Sequence, residues 1–342
     1  MYTSQSCCLL IGVDAGSRDA IRPLACHPLF LMQSIDSPDA DQAGYWDEVY
    51  RSQKIVGIVV GTSDSARGRN IETAARTAAT RCNVIIVAVE DYAGNYFDVP
   101  HSKTALLVVE SPLSEQLYRD RLGTTCPPIS ILVSPRYDQY RANVDSLRTI
   151  TRMAWQRPQQ PLQILWAGQP ESQDCLEALR RVAPALRATK ATLLLKAHPR
   201  DSLVGHGVYE KLLNHLGVHC IDVSALTVAE SLEKAPQLVM TQFSAVAIEA
   251  GFYGIPTLHL LYDDIGGRRL LQKKGYALPM HCQYGASFAL QTKGCEEKML
   301  SAALFNHAAR GSVLDHFDDF FQTRTETASI LTKHLVKLIS KI

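Results

Sequence analysis

Apolar runs of strand length alternate along this chain with segments of helical period, and they do so in two successive series. The first series has runs at 7–13, 55–60, 84–89, 105–109 and 129–133. The clearest helical segment between them is 70–81, where Ile71, Ala74, Ala75, Ala78 and Ala79 share a face and Asn70 can cap the start. The second series has runs at 162–166, 192–197, 218–223, 238–241 and 257–260, with helical segments at 172–188, 209–216, 227–234 and 245–253. Strands alternating with helices are βαβ units, which build parallel sheets. Two series predict an α/β protein of two doubly wound domains. A chain of 342 residues, 46% of them apolar, has the size and composition for two such cores.

The expected boundaries are an N-terminal domain over 1–140, a linker over 141–161, a C-terminal domain over 162–324 and a terminal helix over 325–342. The linker segment carries Arg157, Pro158, Gln159, Gln160 and Pro161 and has no sustained strand pattern. In the terminal segment Ile330, Leu331, Leu335, Leu338 and Ile339 line one face, opposite Lys333, Lys337 and Lys341. Such a helix packs back across a neighbouring domain or rests peripherally on an anionic membrane, and packing is the expected state. The polar segment 36–44 is expected as an exposed loop.

Charge narrows the range of partners. Lys plus Arg total 35 against 34 Asp plus Glu, and there is no polybasic tract, so nucleic acid is not expected as a partner. No apolar run approaches the roughly twenty residues that span a bilayer, and the start lacks a basic leader region, so a cytoplasmic protein is expected. The nine cysteines are odd in number, scattered and without a C-x-x-C pair, which reads as buried reduced thiols. With no closely spaced Cys/His quartet, no metal site is expected.

The stretch from Leu193 to Leu261 carries the chemistry. One strand ends in Lys196-Ala197-His198-Pro199-Arg200, and another in Thr241-Gln242-Phe243-Ser244 before a helix that holds Glu249. The carboxyl ends of strands in an open parallel sheet form the crevice where ligands bind. His198 is held extended by Pro199 and can donate to a phosphate oxygen or protonate a leaving phosphate. Equally, a histidine there can satisfy a buried carbonyl. Arg200 offers a planar fork to phosphate, Lys196 a point charge, and Thr241 and Gln242 polar side chains. Ser244 fits as the helix cap beside a positive dipole end, and capping alone would also explain it. Glu249 suits a ribose diol or is a solvated helix residue.

These residues, with Gly254-Ile255-Pro256 beyond them, resemble the C-terminal domain of the twin-Rossmann (GT-B) superfamily. That superfamily includes nucleotide-sugar glycosyltransferases, His-Pro-bearing capsule-type transferases and UDP-N-acetylglucosamine 2-epimerases. The resemblance implies two Rossmann-like domains facing a cleft. It also implies a donor nucleotide held by Lys196, His198, Arg200, Thr241, Gln242, Ser244 and Glu249. In the N-terminal half, Gly16-Ser17-Arg18, preceded by Gly12 and followed by Pro23, resembles the first loop of the epimerases, which implies a phosphate or substrate loop. Glu90 matches an epimerase carboxylate near the sugar, whereas Thr62, Ser63 and Ala88 stand where epimerases carry other residues.

The preferred expectation is a metal-independent glycosyltransferase of cell-surface glycan or polysaccharide synthesis. It uses no cofactor beyond its nucleotide-sugar donor, and its acceptor is a glycan or lipid-linked sugar. The base that deprotonates the acceptor comes from Glu90, Asp91, Asp19 or Asp14, and His198 is a candidate acid. Positive groups then stabilise the leaving diphosphate. The alternatives are a UDP-N-acetylglucosamine 2-epimerase and a non-catalytic protein of this fold that binds a nucleotide or partner. Asp263, Asp264, Gly266 and Gly267 are expected as a mobile ligand loop or a plain turn.

Overall fold

The computed structural model describes residues 7–157 and 162–339. Its contacts divide the chain into two compact units, Met1–Gln139 with Thr325–Ile342, and Tyr140–Arg324. Each unit is built on a six-stranded sheet whose paired strands are all parallel.

The first sheet comprises β1 (Cys7–Ile11), β2 (Phe30–Met32), β3 (Ile55–Gly61), β4 (Ile85–Val89), β5 (Thr104–Val109) and β6 (Ile129–Ile131), in the order β2-β1-β3-β4-β5-β6. The second comprises β7 (Gln163–Ala167), β8 (Thr192–Lys196), β9 (Cys220–Asp222), β10 (Leu238–Thr241), β11 (Thr257–Leu260) and β12 (Phe288–Leu290), in the order β12-β11-β10-β7-β8-β9. The central strands are almost wholly buried, as strands covered on both faces must be. The sequence pattern does not reveal β2 and β12, which are three-residue edge strands. Two of the three residues of β2, Leu31 and Met32, are exposed, so no continuous buried run marks it.

Two helices begin elsewhere than their periodicity indicates. The helix Ala66–Arg81 starts before Asn70 because Ser65 Oγ accepts the Gly68 amide at 3.0 Å. The segment 36–44 is not a plain loop. A short 3-10 turn, Pro38–Asp41, leads into the helix Ala43–Ser52, held by the fully buried Trp46, whose Nε1 donates to the Ala40 carbonyl at 2.7 Å.

The expected linker is corrected more substantially. Most of 141–157 is helical, chiefly as Val144–Trp155, and it belongs to the second unit. Leu147 and Trp155 pack against Leu165, Leu194 and Val239, and Trp155 Nε1 donates to the Ala235 carbonyl at 2.9 Å. Helical rather than strand period carries its apolar residues, so a search for strands passes over it. The remainder of the expected linker, Pro158 to Pro161, lies outside the described residues.

The terminal helix, Thr327–Ile339, belongs to the first unit. Leu331 and Leu335 are buried in a cluster with Cys8, Leu10, Val59 and Val87, so the centre of its apolar face is covered. Asp138 anchors its start, accepting the Thr327 and Ala328 amides and the Thr327 hydroxyl. No helix among the described residues is long and apolar enough to cross a membrane. Leu331→Ala is expected to cost about 2–5 kcal/mol, the range for a fully buried leucine truncated to alanine. Denaturant unfolding checks this, and a loss under about 1 kcal/mol would mean the helix is not part of the core.

Candidate functional site

In the second sheet β7 and β10 are neighbours, and the chain runs outward from them in opposite directions. That reversal of strand order opens a crevice at the carboxyl ends of the strands. Register brings the relevant ends level, since Ala167 of β7 pairs with Thr241 of β10 on one side and Lys196 of β8 on the other. Residues far apart in sequence thus meet at one edge, namely Gly168-Gln169, Ala197-His198 and Gln242-Phe243-Ser244.

Half-buried His198 turns back on its own loop, its Nδ1 accepting the Arg200 backbone N–H at 3.0 Å. A backbone amide can only donate, so this nitrogen is unprotonated and the neutral ring carries its proton on Nε2. Burial, and secondarily the Arg200 charge, hold its pKa below the ordinary histidine value. The result is a neutral ring with one N–H available to an acceptor. The Arg200 side chain is exposed.

Asp201, to which the sequence pattern assigns no role, fixes this loop. It is buried, accepts Ser172 Oγ at 2.5 Å and the Leu203 amide at 2.8 Å, bonds the Tyr209 hydroxyl, and donates its own amide to the His198 carbonyl at 2.8 Å. Its signal in the sequence is a carboxylate directly after His-Pro-Arg, but its partners come from other elements.

Other expected ligand groups prove to be committed inside the fold. The fully buried Thr241 hydroxyl donates to the Ala167 carbonyl at 2.7 Å and accepts the Ser244 amide at 3.3 Å, sewing β10 to β7. One donor of the Lys196 ammonium is spent on the Leu226 carbonyl, and burial lowers its pKa. Ser244 is one residue early as a cap, because the helix is Val246–Phe252 and Ala245 occupies the cap position; its hydroxyl still accepts the Val246 amide at 3.3 Å. The Glu249 carboxylate, half-buried, accepts the Tyr140 hydroxyl at 2.6 Å.

Two amides at this edge keep unused capacity. Gln242 is fully buried and donates Nε2 to the Asp174 carbonyl at 3.1 Å, while its Oε1 has no partner. Gln169, also buried, has a partnerless Nε2. Unpaired buried polar atoms are rare, and here one acceptor and one donor lie at the ends of adjacent strands. Of the ligand loop expected after β11, Asp264 is instead paired with Arg181 at 2.6 Å and Lys293 at 2.8 Å, and Gly266 and Gly267 open the helix Gly266–Lys274.

In the first unit the reversal lies between β1 and β3. The helix Ala15–Ile21 follows β1 closely, and a Cβ on Gly12 would lie 2.6 Å from Arg18 Cα. The groups expected to meet a phosphate serve the loop itself. Ser17 is fully buried, donating to the Asp14 carbonyl at 2.9 Å and accepting the Ser63 hydroxyl at 3.0 Å. The exposed Arg18 donates to the Val13 carbonyl at 3.2 Å. A Cβ on Gly16 would lie 2.7 Å from Asp91 Oδ2, so the first turn of this helix, where a substrate loop is expected, approaches that carboxylate.

The four carboxylates differ. Glu90, expected near an acceptor, is 1% exposed; it accepts Tyr118 Oη at 2.5 Å, the Gly94 amide at 3.1 Å and the Glu110 amide at 3.2 Å, and burial raises its pKa. It joins the loops after β4 and β5 rather than facing solvent. Asp14 accepts the Asp64 and Ser65 amides at 2.8 and 2.9 Å and Ser65 Oγ at 2.6 Å. Asp91 Oδ1 accepts Thr62 Oγ1 at 3.0 Å and Asn95 Nδ2 at 2.6 Å. Asp19 lies in the first helix, paired with Arg22 at 3.1 Å at the surface.

No protein-family model matches the chain, and no curated protein matches it by sequence. Solved structures do match it in fold. MnaA of S. aureus, solved with UDP, superposes with a TM-score of 0.63 at 12% identity, covering 99% of this chain and 98% of that one. The UDP-GlcNAc 2-epimerase from Neisseria meningitidis, bound to UDP-GlcNAc, gives 0.62 at 12% identity over 97% of this chain and 100% of that one. MurG from Acinetobacter baumannii gives 0.57 at 12% identity over 99% and 100%. With two parallel sheets, each reversing its strand order, the chain has the twin-Rossmann, or GT-B, fold of these proteins.

Proposed function

We propose that this chain is a nucleotide-sugar-dependent glycosyltransferase whose second unit binds the donor's diphosphate at the β7–β10 crevice. The observation that carries the reading is the neutral His198 ring, whose Nδ1 is occupied by the Arg200 amide so that its N–H is presented on Nε2. A neutral donor at a strand end serves a phosphate oxygen without being neutralised by it. The exposed Arg200 supplies the charge; Lys196, with one donor already on the Leu226 carbonyl, contributes from behind the edge. The unpaired Gln169 and Gln242 amide atoms lie buried behind this edge, at the ends of β7 and β10, and the half-buried Glu249 suits the ribose. Charge on the leaving diphosphate is met by these cations without a catalytic metal. Asp19 and Asp91 are the candidate bases in the first unit, because Glu90 is enclosed. The transfer belongs to surface-glycan or polysaccharide synthesis, with a glycan or lipid-linked acceptor.

His198→Ala is expected to weaken UDP binding about 10- to 100-fold in calorimetry, since a hydrogen bond to a charged group contributes about 1.5–3 kcal/mol. Unchanged affinity would remove His198 and the crevice from the reading. A second reading, a UDP-N-acetylglucosamine 2-epimerase, is supported by the epimerase that matches over 97% of this chain. NMR of the sugar 2-position separates the two. Isomerisation without an acceptor supports the epimerase, whereas UDP release that requires an acceptor supports the transferase. UDP binding with neither reaction would favour a non-catalytic nucleotide-binding protein.

A further inference from the structure

His259 on β11 meets His281 and Cys282, on the short helix Met280–Gln283, inside the second unit. All three are buried, His259 completely. One ligand atom from each lies within 4.8 Å of the others, and the imidazoles face each other Nε2 to Nε2 at 3.1 Å. The chain's spacing hides this trio, because His259 is on a different element and no Cys/His quartet is spelled out in sequence.

The protonation pattern follows from the contacts. His259 Nδ1 lies 2.7 Å from the backbone oxygen of Gln242. A carbonyl can only accept, so Nδ1 carries the proton and Nε2 presents its lone pair toward His281. A backbone carbonyl that fixes the tautomer and ring angle in this way is the usual outer partner of a metal-bound histidine. A hydrogen bond between the two rings would explain their approach, but it gives the Cys282 thiol nothing to do. No hydrogen bond of that thiol occurs among the described residues.

Two imidazoles and a thiol, enclosed away from solvent, are the donor set of borderline and soft cations rather than of Mg²⁺ or Ca²⁺. With bonds of about 2.0–2.1 Å to nitrogen and about 2.3 Å to sulfur, the ligand atoms around such an ion stand roughly 3–4 Å apart. The 3.1 Å nitrogen pair is near that spacing already.

We propose that His259 Nε2, His281 Nε2 and Cys282 Sγ bind one thiophilic d10 cation, Zn²⁺ or Cu⁺, that ties the 280–283 helix to β11. The two ions share this ligand chemistry. Cu⁺ is satisfied by three ligands, whereas Zn²⁺ takes a fourth. The ion's role is structural. Through the His259 bond it steadies the Gln242 backbone, whose side chain lies at the crevice, and it touches no substrate.

The test uses the whole chain, loaded either with Zn²⁺ or, in anaerobic reducing buffer, with Cu⁺, then desalted and analysed for metal. About one ion per chain is expected in one of the two arms, which identifies the cation. Cys282→Ser and His281→Ala are expected to lower affinity by about tenfold or more, with circular dichroism checking that they fold. Co²⁺ used as a zinc probe is expected to give a thiolate charge-transfer band that Cys282→Ser removes. If a variant does not fold, alkylation of the unaltered chain decides, because bound metal should protect Cys282 selectively among the nine cysteines. Retention of neither ion overturns the proposal, as does retention unaffected by Cys282→Ser or metal-bound chain in which Cys282 is alkylated as fast as in the metal-free chain.

Discussion

Gly61→Ala is expected to destabilise the first unit by about 3 kcal/mol or more, at or beyond the upper end of the usual cost of forced overpacking. A Cβ at this position would lie 2.0 Å from the Ser17 carbonyl oxygen and 2.7 Å from its carbonyl carbon. Both are backbone atoms, so no rotamer change relieves the clash. The helix Ala15–Ile21 would have to lift off β3, breaking the Ser17–Ser63 contact and the bonds from Asp14 to the Asp64–Ser65 turn. Gly44→Ala is the matched control in the same unit, since nothing lies within 4 Å of its added methyl. That substitution should be neutral or stabilise by up to about 1 kcal/mol. Trp46, the tryptophan of the first unit, reports the unfolding by fluorescence. Equal, small effects for the two substitutions would mean that the β1–β3 junction is not packed as described.

Glu72→Gln should act in the opposite direction and mainly at alkaline pH. Glu72 is 1% exposed on the helix Ala66–Arg81, and its Oε1 has no partner. Burial pushes its pKa up from 4.5 to about 8, with Asp91 adding to the rise and the bond from Ser63 opposing it. From about 4.5 to about 8 the folded chain keeps a proton that the unfolded chain has released. Stability from this group is therefore full below about pH 4.5, falls as pH rises through the window, and is flat above about 8. A carboxyl pKa raised tenfold in acidity constant corresponds to about 1.4 kcal/mol, so the penalty at high pH reaches several kcal/mol. The neutral glutamine removes that penalty. The Tm of the variant should exceed that of the unaltered chain at pH 8.5 by about 2–4 °C for each kcal/mol regained, and the two should converge toward pH 4.5. Parallel pH profiles would show that Glu72 is not held neutral.

Glu72 and Glu90 illustrate why the site is less legible in the sequence than the fold. Glu72 lies inside the helix Ala66–Arg81 and Glu90 directly follows β4, and residue type and position alone make Glu90 a candidate base. Its enclosure depends on the Tyr118 hydroxyl and the Glu110 amide, which arrive from beyond the next strand. Thr241 and Lys196 are similar, since the carbonyls of Ala167 and Leu226 claim them across the sheet and a loop. His198 is the contrasting case. The partner that sets its tautomer is two residues away in the chain, so a local sequence reading comes close to its geometry.

Local patterns determined the architecture. Parallel strands buried on both faces read as near-continuous apolar runs, and the runs Ile55–Gly61 and Thr192–Lys196 form such strands. The alternation of such runs with helical period fixed two parallel sheets and brought the His-Pro strand end into the sheet that holds Thr241 and Gln242. The tertiary structure decided what short-range patterns do not contain. It assigned the 144–155 helix to the second unit and the 327–339 helix to the first, because Leu147 and Trp155 pack on the core that holds β7, β8 and β10, and Leu331 and Leu335 on the core that holds β1, β3 and β4. It also decided which polar groups are spent inside the fold and which keep a free donor or acceptor, and it gathered His259, His281 and Cys282. A hydrogen bond or a ligand cluster depends on where a partner lies in space, and the chain specifies that only through its complete packing.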